Sequence, residues 1–114
     1  MTNKLSYAMK FVANMDAAVK FHRDVLGFAV KFQSPFWSEL ATGETTLALH
    51  LADAEHQAGL VRIGISVPDM KAFQAQIVSA GLRFSKEPTM QHGTLLGEFV
   101  DPEGAFVSVS EQRK

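Results

Sequence analysis

The side chains best placed for chemistry in this chain are two carboxylates and one imidazole, Glu39, Glu98 and His50. Each is the polar member of a short run in which hydrophobic residues alternate with other residues. A carboxylate and an imidazole can exchange protons with a bound molecule or ligate a divalent metal. These three residues are therefore the catalytic candidates. We expect a divalent metal only if His50 binds it together with Glu39 or Glu98.

A second group of residues could hold a ligand without transforming it. The guanidinium of Arg62 can bind two oxygens of a carboxylate or phosphate in one plane. An internal salt bridge from Arg62 to Glu98 is an equally good interpretation of the same residue. The residues expected to contact a ligand are Tyr7, Trp37, His50, Arg62, Phe106 and Ser108.

The aromatic residues and histidines leave several interpretations open. Trp37 and Phe106, with Phe11 and Met9, either wall a planar ligand or fill an ordinary core. His50 is a base facing a ligand, a metal ligand, or a histidine packed against Trp37. His22 falls between an apolar helical stripe and solvent, so we interpret it as a surface residue.

The composition limits the class of protein. The chain has 114 residues and a mass of 12.5 kDa, and it is 46% hydrophobic with a net charge of −1. This balance disfavours a disordered chain or a nucleic-acid-binding module, which would show a basic excess. The absence of cysteine excludes disulfides and thiolate metal sites. No apolar run is long enough to span a membrane, and no signal segment is evident, so we expect a cytoplasmic protein.

The chain contains an internal repeat. Asn14-Met15 matches Asp69-Met70 at an offset of 55 residues, and residues 37–40 match residues 96–99 at an offset of 59. Similar offsets along the chain indicate one ancestral unit with small insertions. We therefore predict one domain, residues 1–114, made of two modules at 5–51 and 60–111, with a joint near residues 52–59.

Each module has the pattern of a strand, a helix and three strands. Asn14 and Asp69 are predicted helix caps, and Gly27 and Gly81 lie where the helices should end. The apolar helical stripes are Ala18, Phe21 and Val25 in the first module, and Met70, Phe73, Ile77 and Ala80 in the second. The predicted fold class is α+β, with two tandem βαβββ modules forming a curved mixed sheet around a ligand cleft.

The alternation within each hairpin predicts which side chains share a face. Leucines at 47, 49 and 51 should face the helix, which leaves Ala48 and His50 on the opposite face. Across the hairpins, Glu39 should lie opposite Ala48, Trp37 opposite His50, and Glu98 opposite Ser108. In the first strand, Lys10 is the exception to the pattern, because it falls on the helix side.

Three segments resemble the vicinal oxygen chelate superfamily, which includes glyoxalase I, bleomycin-resistance proteins and extradiol dioxygenases. They are Phe21–Phe28 (FHRDVLGF), Val67–Met70 (VPDM) and Phe99–Gly104 (FVDPEG). The resemblance implies paired βαβββ modules that form a cleft, often in homodimers. It also places the family's metal ligands at four equivalent strand positions, occupied here by Tyr7, Ala48, Arg62 and Ser108.

Those four residues are poor ligands for a divalent metal, and Arg62 would repel it. The first functional hypothesis is therefore a homodimeric module, without the usual metal site, that binds a small, polar or anionic and partly aromatic molecule. The alternative is a glyoxalase-like lyase of the lactoylglutathione lyase type, with a displaced metal or acid–base site. The sequence does not identify the ligand or substrate.

Overall fold

The structure, a computed structural model, describes residues 3–112 of the chain. These residues form two repeats of a strand, a helix and three strands, which confirms the α+β class and the tandem βαβββ modules. None of their helices is long and apolar enough to cross a membrane. The elements are β1 (Lys4–Val12), α1 (Met15–Asp24), β2 (Ala29–Phe32), β3 (Trp37–Ala41), β4 (Thr46–Leu51), β5 (Val61–Val67), α2 (Met70–Ser79), β6 (Phe84–Gln91), β7 (Thr94–Val100) and β8 (Phe106–Glu111).

The chain divides into two compact units. Residues 7–62 form the first module, and residues 63–112, with residues 3–6, form the second. Within the first module the strand order is β2-β3-β4-β1, and within the second it is β6-β7-β8-β5. Each module has one parallel pair, β1 with β4 or β5 with β8, and its remaining pairs are antiparallel. Both modules therefore contain mixed sheet, as predicted.

Each helix starts at the predicted cap. The side chains of Asn14 and Asp69 accept hydrogen bonds from the amides of Ala17 and Ala72, at 3.0 and 3.1 Å. Such a cap satisfies one of the amides left free at a helix start and contributes about 1 kcal/mol. After the last turn, Gly27 and Gly81 have φ of +78° and +84°, a conformation that favours glycine.

The core of each module lies between its helix and one face of its strands. In the first module, Met15 and Val19 of α1 pack against Leu40 and Leu49, which are both fully buried. In the second, the apolar side of α2 packs against β7 and β8 through Met70, Phe73, Ile77, Phe99, Val107 and Val109. Burial of a large apolar side chain contributes roughly 1.5–3 kcal/mol to stability. The apolar face of each module's strands is therefore held under its helix, and the opposite face remains for contacts with a ligand.

The predicted stripe of α1 is wrong at two of its three residues, although Ala18 does pack against the core. Phe21 and Val25 are 48% and 69% exposed, whereas His22, interpreted from sequence as a surface residue, is only 4% exposed. The buried face of α1 consists of Met15, Val19 and His22, a spacing of four and three residues that also fits one side of a helix.

Lys10 explains why a histidine can be buried there. Its Nζ lies 3.0 Å from Nε2 of His22, and Nδ1 of His22 lies 2.7 Å from the carbonyl oxygen of Ala18. Because a carbonyl only accepts, Nδ1 carries the proton and Nε2 accepts from the Lys10 ammonium. The residue that breaks the alternation of β1 therefore supplies the donor that the buried imidazole needs.

Candidate functional site

All three predicted cross-strand pairs are present. Trp37 lies opposite His50 and Glu39 opposite Ala48 in the first module, and Glu98 lies opposite Ser108 in the second. The parallel pairing of β1 with β4 extends the first row, because it places Phe11 beside His50. Residues of one row point to the same side of the sheet, so the candidates of the first module converge on the face away from α1.

Four rings form an aromatic face on the first module: Tyr7, Phe11, Trp37 and His50. The ring of Trp37 meets those of Tyr7 and His50 edge-on, each with its centroid 5.9 Å away. The rings of Phe11 and His50 lie 4.9 Å apart. Phe11 is only 3% exposed and belongs to the packed layer, whereas the other three are half-buried. Part of each of these three side chains therefore remains accessible to a ligand.

The imidazole of His50 is held in one tautomer. Its Nδ1 lies 2.7 Å from the carbonyl oxygen of Leu51 and must donate to it. In the neutral ring the lone pair is then on Nε2. Within residues 3–112, no protein group forms a hydrogen bond with Nε2. A histidine fixed in this way can accept a hydrogen bond from a ligand or take its proton.

Glu39 and Trp37 are fixed together on the same face. The indole Nε1–H of Trp37 donates to Oε2 of Glu39 at 2.9 Å. The hydroxyl of Ser34 holds the backbone of Trp37, because it accepts from the Trp37 amide at 3.0 Å and donates to its carbonyl at 2.7 Å. The small side chain of Ala48, opposite Glu39, adds little bulk to the face. The carboxylate is therefore oriented without being enclosed.

The joint adds a residue that the sequence analysis did not identify. The ring of His56 stacks on Phe11 with a centroid distance of 4.6 Å and an interplanar angle of 7°. The backbone also holds this segment on β1, because the Phe11 amide donates to the carbonyl of Leu60 and the Gly59 amide donates to that of Phe11. Strand alternation does not extend into a loop, so it could not place His56 beside the aromatic face.

Asp53 fixes the conformation of His56. The carboxylate accepts hydrogen bonds from the amides of Glu55 and His56 and from Nδ1 of His56, at 2.9, 2.8 and 3.0 Å. Desolvation raises the pKa of Asp53, but these hydrogen bonds and the charge of His56 outweigh it and leave the pKa below its usual value. The ionised carboxylate is therefore the form that holds the joint.

The candidates of the second module lie in different surroundings. Glu98 is 7% exposed, and the hydroxyl of Ser85 bonds its Oε1 at 2.8 Å and its carbonyl oxygen at 3.1 Å. Glu98 and the half-buried Ser108 line a cavity of about 350 Å³. Phe106 is 43% exposed and pairs with Val100 at the start of β8. Arg62 lies on β5 and is the last residue of the first module, and it is half-buried.

The four residues that the family resemblance places at metal positions are poor ligands for a divalent ion. Ala48 is fully buried and has no donor atom, and Arg62 carries a positive charge. Tyr7 and Ser108 offer neutral hydroxyls, which are weaker ligands than imidazole or carboxylate. In the described part of the chain, no three His, Asp or Glu side chains are grouped so that they could hold a metal.

Solved structures from several bacteria have the same fold. A hypothetical protein from Bacillus halodurans C-125 matches with a TM-score of 0.82 and 16% identity, over 100% of this chain and 97% of that one. A methylmalonyl-CoA epimerase from Streptomyces coelicolor matches with a TM-score of 0.78 and 18% identity, over 100% of both chains. A Mn(II)-bound glyoxalase from Novosphingobium aromaticivorans matches with a TM-score of 0.73 and 18% identity, over 97% of this chain and 38% of that one.

Sequence comparison identifies the family. Residues 4–109 match the model of the Glyoxalase/Bleomycin resistance protein/Dioxygenase superfamily. No curated protein is significantly similar to the chain in sequence. Because the family match spans nearly the whole chain, the protein belongs to this superfamily, as the three sequence segments predicted. The solved structures share too little sequence identity to transfer an activity, and one fold hosts many chemistries.

Proposed function

We propose that this member of the superfamily binds a small, partly aromatic molecule on the aromatic face of its first module, without the family's usual metal. The observation that supports this most directly is the placement of two oriented acceptors among rings. Glu39 is held by Trp37, and His50 is held by Leu51 with Nε2 free of partners in residues 3–112. A planar ring with an O–H or N–H group matches both the ring edges and these acceptors.

The aromatic face allows a direct binding test, because Trp37 is the chain's single tryptophan and its fluorescence reports on this face. Phenol and anisole are suitable probes, since they have the same ring but only phenol has a donor. Phenol should bind roughly tenfold more tightly, because a hydrogen bond to a charged acceptor contributes about 1.5–3 kcal/mol. Equal affinities for the two probes would contradict this part of the proposal.

The variant His50→Asn tests the role of Nε2 in ligand binding apart from the role of Nδ1 in holding the side chain. Asparagine can keep a donor for the Leu51 carbonyl, but it lacks an acceptor at the position of Nε2. It should reduce the ratio of the affinities for phenol and anisole by several-fold. The preference that remains would then come from the hydrogen bond to Glu39. His92→Asn is the matched control, because His92 lies in the second module with φ of +51°, a conformation that asparagine adopts readily.

The anionic part of the proposal depends on Arg62. Benzoate should bind more tightly than benzamide, and Arg62→Gln should remove that preference, a loss of roughly tenfold to a hundredfold. Arg62→Lys should recover only part, since an ammonium cannot bind two oxygens in one plane. If Arg62→Gln lowers the melting temperature and leaves the benzoate affinity unchanged, Arg62 has a structural role and the ligand need not be an anion.

The fixed tautomer of His50 also favours a second candidate, a glyoxalase-like lyase in which His50 and Glu39 act as base and acid or bind a displaced metal. Metal analysis of protein purified without added metal separates the two candidates, supported by thermal shifts with nickel, zinc and manganese. The binding function predicts less than stoichiometric metal and no shift that depends on His50. A stoichiometric ion that is lost in both His50→Asn and Glu39→Gln would favour the lyase.

We also propose that the chain forms a homodimer. The first module exposes large apolar side chains on α1 and at its end, on β2, and between β2 and β3. They include Phe21, Val25, Phe32 and Phe36, which are 48%, 69%, 52% and 68% exposed. Exposed apolar groups of this size are often buried in an interface. Multi-angle light scattering should give twice the chain mass of 12.5 kDa. A mass of one chain across a wide concentration range would exclude the dimer.

A further inference from the structure

The second module contains a polar cavity that the proposed function does not use. Its volume is about 350 Å³, at the lower end of the roughly 300–1,000 Å³ of small-molecule sites. The cavity is lined by residues of β6, β7 and β8, namely Lys86, Glu87, Thr89, Gln91, Leu96, Gly97, Glu98 and Ser108. No residue of the aromatic face lines it, so the cavity can be considered independently of the first module.

A row of polar side chains crosses the three strands at this cavity. Lys86 pairs with Glu98, and Glu98 pairs with Ser108, so the three side chains point to the same side of the strands. Ser85 fixes the carboxylate of Glu98 through the hydrogen bond to Oε1. The row therefore presents an ammonium, an oriented carboxylate and a hydroxyl in sequence.

The backbone of β6 is shaped to produce this row. Its register against β7 shifts on both sides of Lys86, and an irregular strand re-aims its side chains. A Cβ on Gly97 would lie only 3.1 Å from the carbonyl oxygen of Lys86 and 3.2 Å from Cγ of Pro88. Gly97 therefore permits the close approach of the irregular segment. Glu87 also lines the cavity, and its carboxylate is held by the side-chain amide of Gln74 of α2, which donates to it at 2.9 Å.

The charges in the cavity define what it can bind. Lys86 and Glu98 are cross-strand neighbours and line the same cavity, yet Lys86 forms no ion pair within residues 3–112. Over the same residues, no protein group forms a hydrogen bond with the Ser108 hydroxyl. A ligand with only a carboxylate would meet repulsion from Glu98, and one with only an ammonium would meet repulsion from Lys86. A ligand that carries both an anionic group and a neighbouring donor matches the row.

We propose that this cavity binds a small amino or hydroxy carboxylic acid, with the ligand's carboxylate at Lys86 and its ammonium or hydroxyl at Glu98 and Ser108. The class is defined by a carboxylate with an N–H or O–H donor on the adjacent carbon. The hydroxyl of Ser108 can donate or accept, so it serves an amino acid and a hydroxy acid alike.

Four small probes test this class on the unmodified chain, with backbone amide NMR as the measurement. L-alanine and L-lactate carry both groups, propionate lacks the donor, and ethylamine lacks the carboxylate. L-alanine and L-lactate should shift the amide signals of residues 84–110. They should bind at least about tenfold more tightly than propionate and ethylamine, because each of the latter two lacks one charge-assisted contact. Equal binding of all four, no binding, or shifts confined to the first module would overturn the proposal.

Two substitutions assign the roles within the row. Lys86→Gln should remove the advantage of L-alanine over ethylamine, whereas Lys71→Gln, an exposed lysine of α2 outside the cavity, should not change it. Ser108→Ala should weaken L-lactate and leave propionate unchanged. If L-alanine retains its advantage over ethylamine in Lys86→Gln, the assignment of its carboxylate is wrong. Phenol binding at the aromatic face is measured separately by Trp37 fluorescence. Failure of one proposal therefore does not imply failure of the other.

Discussion

The first and second modules bury equivalent strand positions under their helices and carry different side chains on the opposite face. Leu40 and Leu49 under α1 correspond to Phe99 and Val109 under α2. The aromatic residues are distributed in reverse. In the second module, Phe73, Phe84 and Phe99 pack edge-to-face in the core. In the first, Phe28 packs against the core under the helix, whereas four rings form the aromatic face on the opposite side.

The two modules keep a carboxylate at one equivalent strand position but hold it with different groups. Glu39 and Glu98 occupy equivalent positions opposite Ala48 and Ser108, so a carboxylate stands at this position in both modules. The groups that hold it differ, since an indole N–H binds Glu39 and the Ser85 hydroxyl binds Glu98. The indole adds an aromatic wall beside Glu39, whereas the Ser85 hydroxyl adds little bulk beside Glu98, which lines a cavity. The helix-facing layer supports the fold, and the other face is where the modules differ in chemistry.

The largest effects should come from the layer that the modules share. Leu40→Ala should lower the free energy of unfolding by about 2–5 kcal/mol, and Phe99→Ala by about 3–5 kcal/mol, because each leaves a cavity in a packed core. Urea unfolding monitored by circular dichroism measures both. Ser108→Ala, on the other face, should change stability by less than about 1 kcal/mol. A small loss for either core variant would show that its module is not packed as described.

Strand alternation and the repeat predicted much of this arrangement. The period of two identified the helix-facing leucines and valines, and the turn positions fixed the three cross-strand pairs. Both rules are local: side chains alternate along any strand, and a hairpin sets its own register. Local rules were therefore enough to predict that Trp37, Glu39 and His50 share one face of the first module.

Contacts between distant segments could not be predicted in the same way. His22 is buried because Lys10, on another element, donates to it, and helical periodicity alone favoured Phe21. His56 reaches Phe11 through a loop whose conformation depends on hydrogen bonds to Asp53. The four residues of β2 are all exposed, although Val30 and Phe32 alternate with polar or small residues as in a half-buried strand.

Removal of Lys10 should reduce stability by an intermediate amount. It tests a difference between the helices, since α1 buries His22 whereas the buried residues of α2 are apolar. Lys10→Met should destabilise the chain by about 1–3 kcal/mol, because Nε2 of His22 is left buried without its donor. The double variant Lys10→Met with His22→Leu should recover most of this loss, since both polar groups are then replaced by apolar ones. Thermal and urea unfolding of both variants measures the coupling. Additive losses would show that the two side chains do not depend on each other.

The smallest effect should come from the joint, which carries the stacked His56. The pKa of Asp53 lies below its ordinary value, so ionised Asp53 stabilises the folded chain above that ordinary value, about 3.9. The stabilisation is lost as the pH falls through the lowered value, because the carboxyl is then protonated in both the folded and unfolded states. Asp53→Asn keeps an acceptor for the amides of Glu55 and His56 but removes this titration.

The melting temperature of the unmodified chain should therefore exceed that of Asp53→Asn at pH 6, and the difference should shrink as the pH falls below the ordinary carboxyl pKa of about 3.9. Asp69→Asn is the matched control, because asparagine caps a helix about as well as aspartate. The change at Asp53 should also alter Trp37 fluorescence, since Phe11 links His56 to His50 and His50 contacts Trp37. A difference in melting temperature that grows on acidification would have the wrong sign and would exclude the ionised carboxylate as the group that holds the joint. An unchanged Trp37 signal, with the expected pH dependence, would show that the joint is stabilised by Asp53 but does not position the aromatic face.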